Sequence, residues 1–282
     1  MTPAAAASAD HRVVFLDVDG TILDEDGNIP ASTTRAIRHA RASGHRVFLA
    51  TGRVPREIFP ELAALGFDGA VTGAGAYARV GARTVFARAM TRPQLREMVD
   101  VFVAADLMYN LQGPDFTHPT PAHQEEMARR YTALGRADAQ SLAFGDTVRP
   151  LDPGVLPDTP VSKAVFTGTR DDAYDRVVAG LGPDFEVITG TLPGLGTRGG
   201  EVSLAGVDKS AGVRAVLADL GVPVERAVAI GDNNNDLQML RYVGTGVAMG
   251  NGTPEAKEAA DLVTDPVDAD GVAHAFERLG LV

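Results

Sequence analysis

The chain has 282 residues, of which 45% are hydrophobic and 22% charged, with a formal net charge of −11 and no cysteine. The length suits one large or two modest domains, and the negative charge disfavours nucleic acid or an anionic membrane as a partner. No apolar run approaches the ~20 residues that span a bilayer, and without cysteine there are no disulfides or thiolate sites, which fits a cytoplasmic protein.

The first chemical signal follows the first predicted strand. Residues 1–10 are rich in alanine, and we expect them to form a disordered tail. The apolar run Val13–Leu16 predicts a strand buried on both faces, as in a parallel sheet. Asp17, Asp19 and Thr21 come directly after it. Buried carboxylates are costly unless they are paired or bind a metal, and ligands of open α/β sheets sit beyond the carboxyl ends of the strands. Taken alone, the segment also fits an acidic turn that caps the strand.

Strand and helix signals then alternate. A helix is predicted over residues 32–43, a strand over residues 46–50 that leads into Thr51, Gly52 and Arg53, and a third strand at residues 70–71. This βαβ order predicts a parallel sheet with right-handed crossovers.

The pattern changes at about residue 83. Thr91 and Gln94 form a capping box that predicts a helix to about residue 105. A loop over residues 112–123 contains His118 and His123, whose spacing does not fit a zinc site and favours structural roles. Further helices are expected at residues 124–134 and 171–181, with strands at 164–169 and 185–189. We interpret residues 83–204 as a separate, inserted α/β unit.

The alternation resumes in the last part of the chain. Helices are predicted at residues 209–220, 233–242 and 253–260, and strands at 227–230 and 245–249. The fold class predicted is therefore α/β. Residues 11–82 and 205–282 form a Rossmann-like parallel sheet with helices on both faces, which is interrupted by the unit at residues 83–204.

Four polar clusters fall at strand ends or at a helix start, and parallel strands would bring three of them to one edge of the sheet. All-oxygen ligation by a few carboxylates suits Mg²⁺ better than Ca²⁺ or Zn²⁺. A threonine hydroxyl and a lysine ammonium suit phosphate oxygens, and an ionised carboxylate can attack phosphorus. The clusters are Asp17/Asp19/Thr21, Thr51/Gly52/Arg53, Lys209, and Asp232/Asn235/Asp236.

The ordered set of motifs resembles the haloacid dehalogenase (HAD) superfamily, in particular its Cof-type sugar-phosphatase-like branch. The resemblance extends over nearly all of residues 12–279, and the insert lies where this branch carries its cap domain. The matching segments are residues 13–21 (an apolar strand, then Asp17-x-Asp19-Gly20-Thr21), 50–53, 207–209, 230–240, 247–252 and 260–264.

The resemblance implies roles for the acidic residues. Asp17 would be the nucleophile that forms an aspartyl-phosphate. Asp19 would protonate the leaving oxygen and then activate the water that hydrolyses the intermediate. Mg²⁺ would be bound by Asp17, the backbone carbonyl of Asp19, and Asp232.

It also implies a phosphate site. Thr51, with Gly52, and Lys209 would hold the phosphoryl group and offset its charge in the transition state. Asn235 matches a residue that contacts the phosphoryl group or the metal shell, and Asp236 matches one that orients its neighbours. These roles agree with phosphoryl transfer, which depends on positioning and charge neutralisation.

Four further positions have less defined roles. Thr21 and Arg53 are supporting candidates, and Arg53 could equally contact substrate or pair with a carboxylate. Glu201, near the end of the insert, is a candidate for a substrate-facing role. Ala74 stands where the branch usually has asparagine, which puts substrate contacts or the cap linkage at that point in question.

These features predict a Mg²⁺-dependent phosphatase that hydrolyses a small phosphorylated metabolite, for which we expect a sugar phosphate. A phosphomutase would use the same aspartyl-phosphate and return the phosphoryl group to its substrate. A non-catalytic phospho-accepting or metabolite-binding protein is the remaining alternative. Receiver domains share an acidic pocket, but they are roughly half this length and lack an insert.

Overall fold

The computed structural model describes residues 11–133, 147–189 and 196–282, so the predicted tail at residues 1–10 lies outside the described residues. Within those ranges the strands form two separate sheets. The strands are β1 (Val13–Leu16), β2 (Arg46–Ala50), β3 (Gly69–Thr72), β4 (Tyr77–Val80), β5 (Arg83–Ala87), β6 (Met108–Gln112), β7 (Thr117–Pro119), β8 (Lys163–Thr167), β9 (Phe185–Thr189), β10 (Gly199–Leu204), β11 (Ala227–Gly231), β12 (Thr245–Ala248) and β13 (Leu262–Val263).

Helices flank both sheets, and two predicted caps are present. The Thr91 hydroxyl accepts a hydrogen bond from the Gln94 N–H, and Thr253 caps a later helix in the same way. No helix among the described residues combines the length and hydropathy needed to cross a bilayer. The helices are α1 (Ala31–Ala42), α2 (Pro60–Ala63), α3 (Arg92–Ala104), α4 (Pro121–Ala133), α5 (Ala173–Gly180), α6 (Lys209–Leu220), α7 (Leu237–Tyr242), α8 (Pro254–Ala259) and α9 (Gly271–Arg278).

The first sheet has the strand order β13-β12-β11-β1-β2-β3-β4-β5, and the strands from β13 to β3 are parallel. Strand β1 is buried on both faces, as its apolar run predicts. Val14 packs into a cluster with α1 and α9, whereas Phe15 packs into a second cluster with α6 and α7 on the opposite face. The α/β class with helices on both faces is therefore confirmed.

One edge of this sheet departs from the predicted parallel pattern. Strands β4 and β5 form an antiparallel hairpin that pairs with β3. Residues 83–87, which the sequence placed in the inserted unit, thus belong to the first sheet. The reason is local, since a short turn at Gly81 with φ +56° returns the chain directly alongside β4. We infer that the inserted unit starts after residue 87.

The second sheet is antiparallel, with strand order β7-β6-β8-β10-β9. One of its faces is apolar and packs against α3 and α5, with Phe102, Tyr109, Phe166 and Val177 in the same buried cluster. Strand β7 lies within the stretch that was expected to be a loop. It forms a strand because its backbone pairs with β6, despite the surrounding prolines. We propose that this sheet and its helices form the inserted cap.

Candidate active site

The parallel strands bring three of the predicted clusters to one edge. Leu16 at the end of β1 is level with Leu49 of β2 and Ile230 of β11. Consequently Asp17, Thr51 and Asp232, which follow these strands, leave the sheet side by side. The Asp17 N–H donates to the Ile230 carbonyl at 2.9 Å, which extends the ladder to the first of them.

Lys209 joins two of the carboxylates from the start of α6. Its ammonium lies 2.6 Å from Asp17 Oδ1 and 2.6 Å from Asp236 Oδ1, and all three side chains are buried. The backbone fixes this helix end closely: Gly75 has φ +100°, and a Cβ there would lie 1.8 Å from the Asp208 carbonyl oxygen. The Asp208 carboxylate caps α6 by accepting from the Ser210 N–H.

Asp236 is held by its neighbours on both oxygens. Its Oδ2 accepts hydrogen bonds from the backbone N–H groups of Asp232 and Asn233, at 3.0 and 3.1 Å. Its Oδ1 accepts from Lys209. Both oxygens of Asp236 are thus used inside the protein, on Lys209 and on the backbone beside Asp232, while its role in orienting these neighbours stays a prediction.

Asp232 lies against the loop that follows Asp17. The Thr21 hydroxyl donates to Asp232 Oδ1 at 3.2 Å. Gly20 has φ +83°, and a Cβ there would lie 2.4 Å from Asp232 Oδ2, so only glycine fits. The Asn251 amide donates to the Gly20 carbonyl at 2.8 Å. Asn251 lies in the segment 247–252, for which the resemblance implied no role, and here it holds the loop in place.

Burial and crowding change the acidity of these groups. Burial, then repulsion from Asp236, raises the pKa of Asp17 well above its usual value, with Lys209 opposing the change. Burial, and after it repulsion from Asp236, also raises the pKa of Asp232, to about 6. Burial alone would lower the pKa of Lys209, but Asp17 and Asp236 outweigh it and the net direction is upward. The ammonium therefore stays charged.

The donor set fits a divalent cation. Asp17, Asp232 and Asp236 each offer a carboxylate oxygen, and these oxygens lie within 4.8 Å of one another. When ionised, the three carboxylates exceed the single Lys209 ammonium by a formal charge of −2. A hard, oxygen-binding dication such as Mg²⁺ balances that charge and relieves the repulsion between the buried carboxylates.

Asp19 lies at the mouth of the site, with 60% of its side chain exposed. Arg53 holds it through two parallel hydrogen bonds: Nε to Oδ2 at 2.9 Å and Nη2 to Oδ1 at 2.7 Å. Of the two roles considered for Arg53, the structure shows the pairing with a carboxylate, that of Asp19. A bidentate contact of this kind fixes orientation as well as charge.

A further group of predicted residues lies at the ends of the strands that flank Asp17. The group consists of Thr51, Gly52 and Asn235. Thr51 is fully buried, and its hydroxyl accepts from the Arg53 N–H at 3.1 Å. Asn235 Nδ2 lies 3.6 Å from the position a Cβ would take at Gly52. Asn235 Oδ1 is buried and has no hydrogen-bond partner in the described part of the chain. A buried, unpaired acceptor beside this loop is a candidate to accept a hydrogen bond from a ligand or a water.

Side chains from the second sheet also reach this region. The Lys163 ammonium donates to the Gly52 carbonyl at 3.1 Å and to Glu201 Oε2 at 2.5 Å. Gln112 Nε2 donates to Glu57 Oε1 at 3.3 Å. Sequence reasoning missed Lys163, Gln112 and Glu57; the only signal was polar residues alternating with apolar ones along β6 and β8, which solvent-facing strands also have.

The two histidines of the insert have structural surroundings. His118 is buried, and its ring bonds to the Arg149 carbonyl and the Thr159 hydroxyl. His123 is buried at the start of α4, next to the Met108 carbonyl. These contacts favour the structural role over a substrate contact.

Comparison with known proteins identifies the class. The family model for haloacid dehalogenase-like hydrolases matches residues 14–276, and this chain belongs to that family. It is a phosphoric monoester hydrolase with the HAD fold.

Individual relatives match this chain over almost its full length. The Bacillus subtilis protein named "Putative phosphatase YkrA" is 31% identical over 281 residues, which cover 97% of this chain and 99% of that protein. The 5-amino-6-(5-phospho-D-ribitylamino)uracil phosphatase YcsE of Bacillus subtilis is 27% identical, covering 95% of this chain and 96% of its own. The solved structure of the HAD subclass IIB sugar phosphatase BT4131 has a TM-score of 0.77 at 25% identity and covers 96% of this chain and all of that one.

Proposed function

We propose that the protein is a Mg²⁺-dependent phosphatase that hydrolyses a small phosphorylated metabolite, a sugar phosphate, through an aspartyl-phosphate on Asp17. The observation that carries the proposal is the Lys209 ammonium 2.6 Å from both Asp17 and Asp236. This contact holds and orients a buried carboxylate at a strand end, as the attack on phosphorus requires. The sugar phosphatase and ribitylaminouracil phosphatase among the relatives support the substrate class.

In the first half-reaction, Asp17 attacks phosphorus and the bond to the leaving oxygen breaks. Asp19 gives that oxygen its proton, and the dephosphorylated product departs. Arg53 aims the exposed Asp19 carboxyl towards the entrance, where the leaving group would lie. Lys209 and the Thr51 hydroxyl hold the phosphoryl oxygens as charge develops on them.

In the second half-reaction, a water attacks the phosphorus of the Asp17 phosphate. Asp19, now ionised, takes the proton from that water, so phosphate leaves and both carboxyl groups return to their starting states. Asn235, whose buried Oδ1 has no partner among the described residues, is suited to contact the phosphoryl group or a water beside it.

Asp17 and Asp232 are the carboxylates best placed to hold Mg²⁺, together with the Asp19 backbone carbonyl, because Asp236 already uses both oxygens within the protein. When bound, Mg²⁺ supplies positive charge beside the phosphoryl oxygens. Thr21 supports this arrangement by donating to Asp232.

Phosphate release from a panel of phosphorylated metabolites, measured with Mg²⁺ and with EDTA, tests the proposal. The wild type should release phosphate only with Mg²⁺, and folded Asp17→Asn should release none. Equal rates for Asp17→Asn and wild type would show that Asp17 is not the nucleophile. Interconversion of phosphate isomers without release would instead identify a mutase.

A further inference from the structure

The second sheet presents a polar face opposite its apolar one. Side chains directly paired across antiparallel strands point to the same face. Gln112 of β6 pairs with Lys163 of β8, and two residues away Asn110 is level with Val165 and Glu201. The intervening residues Leu111 and Ala164 point into the apolar cluster with α3 and α5. Asn110, Gln112, Lys163 and Glu201 therefore share one face.

This polar face meets the catalytic edge of the first sheet. Lys163 contacts the Gly52 carbonyl in the proposed phosphate-binding loop, and Gln112 contacts Glu57 just beyond Arg53. Both contacts come from the same end of the second sheet. A substrate whose phosphoryl group lies beside Thr51 and Gly52 would thus place its remaining atoms against this face.

Two acceptors on the face have no partner. Gln112 Oε1 and Asn110 Oδ1 are both buried without a hydrogen bond to any described residue. Gln112 as a whole is only 7% exposed. Buried amide oxygens are rarely left unpaired, since each loses its hydrogen bonds to water. They are suited to accept hydrogen bonds from hydroxyl groups of a ligand.

The charged groups on and next to this polar face carry a net negative charge. The buried Lys163 ammonium is matched by Glu201 at 2.5 Å, and Glu57 adds a second carboxylate nearby that already accepts from Gln112 and from the Val54 N–H. With the neighbouring Arg53–Asp19 pair included, three carboxylates face two cations, which leaves an excess of one negative charge. A second anionic group on a substrate would face this excess, whereas a neutral hydroxyl group would not.

We propose that this polar face (Asn110, Gln112, Lys163 and Glu201), together with Glu57 opposite it, selects phosphomonoesters whose remainder is neutral and hydroxyl-bearing, and rejects those that carry a second anion. The inference rests on the proposed function, because it concerns the same site. It assigns substrate discrimination to Glu57 and Glu201 through their charge. It assigns hydroxyl recognition to the amide oxygen of Gln112.

A pair of substrates that differ at one carbon tests the charge argument. Glucitol 6-phosphate ends in a neutral CH₂OH group, and 6-phosphogluconate ends in a carboxylate. We expect wild-type kcat/KM to favour glucitol 6-phosphate by at least about tenfold. Glu57→Gln/Glu201→Gln keeps the shapes and acceptors but removes both charges, and should reduce that preference about tenfold. Each value is normalised to the same variant's rate with p-nitrophenyl phosphate.

Controls separate the possible failures. Glu258→Gln removes one charge from an exposed position on α8 and should leave the preference unchanged. Gln112→Leu should lower kcat/KM for glucitol 6-phosphate about tenfold relative to p-nitrophenyl phosphate. If the double variant does not fold, Glu201→Gln alone is measured and should move the preference in the same direction.

Each outcome bears on a different claim. No hydrolysis of p-nitrophenyl phosphate or any panel member by the wild type would overturn the proposed function and the inference with it. Hydrolysis with equal rates for the two matched substrates would overturn the inference alone. A wild-type preference that the glutamine substitutions leave intact would equally show that Glu57 and Glu201 do not discriminate.

Discussion

Lys209 Nζ lies 2.6 Å from Asp17 Oδ1, although 192 positions separate the two residues in the chain. Asp17 follows β1 before the insert and Lys209 begins α6 after it, so this buried ion pair joins the two parts of the core. A buried ammonium among carboxylates is strongly coupled to them, and loss of one partner leaves the other charges unpaired.

Replacing the lysine should therefore affect stability as well as catalysis. In Lys209→Met, three carboxylates would face one another without a cation, and we expect unfolding free energy to fall by about 3 kcal/mol in EDTA. Added Mg²⁺ should restore part of the loss. Urea unfolding with and without Mg²⁺ measures both effects. Lys257→Met on α8 is the control, and a Lys209→Met protein as stable as the control in EDTA would contradict the argument.

Arg53 should act through the orientation of Asp19. Arg53→Lys keeps the positive charge but cannot form two parallel hydrogen bonds, so kcat should fall about tenfold with a smaller change in KM. Steady-state kinetics measure the changes in kcat and in KM separately. Arg83→Lys is the matched control, because Arg83 makes a similar bidentate pair with Asp219 on the surface. Equal kcat values for both variants would show that the Asp19 contact has no catalytic importance.

The sequence predicted those parts of the fold that local signals determine. The apolar run of β1, the capping box at Thr91 and the start of α6 at Lys209 were all placed closely. The clusters after parallel strands met at one edge, because that geometry follows from strand direction. The β4–β5 hairpin forms through a local turn at Gly81, but local signals do not show that it joins the first sheet beside β3 instead of the inserted unit. Lys163 and Gln112 were missed because nothing local shows which face of a strand meets another domain.

His123 should make the protein less stable in acid. Burial lowers the pKa of His123 to about 4, and the ring's Nδ1 has no partner among the described residues. In the unfolded chain a histidine has a pKa of about 6.5. Between these values the unfolded state binds the proton and the folded state does not. Stability is therefore lost as pH falls from about 6.5 towards 4, by up to about 3 kcal/mol.

Urea unfolding at a series of pH values measures this dependence. His123→Gln keeps a polar N–H in place without titrating, so its stability should change less over that interval than that of the wild type. His39→Gln, on the exposed face of α1, is the control. Identical pH profiles for wild type and His123→Gln would show that another group controls acid stability.

Ala74 occupies a backbone conformation that suits another residue. Its φ is +54° and ψ is +36°, in the left-handed region, where alanine costs about 1 kcal/mol and asparagine or glycine less. The Ala74 N–H donates to the Thr51 carbonyl, so the turn supports the proposed phosphate loop. Ala74→Asn and Ala74→Gly should each raise unfolding free energy, by about 0.5–1 kcal/mol. Thermal and urea unfolding provide the measurement, and a loss of stability in both variants would contradict it.

The most direct test is to trap the covalent intermediate on Asp17. Wild-type protein is mixed with Mg²⁺ and a phosphorylated substrate, quenched in acid within the first turnover, and digested for mass spectrometry. The peptide containing Asp17 should gain the mass of one phosphoryl group, and the same peptide of Asp17→Asn should gain none. The increment should persist longer in Asp19→Asn, because the base that activates water is missing. Phosphate release without any phosphorylated Asp17 peptide in either wild type or Asp19→Asn would show that the reaction does not pass through an aspartyl-phosphate on Asp17.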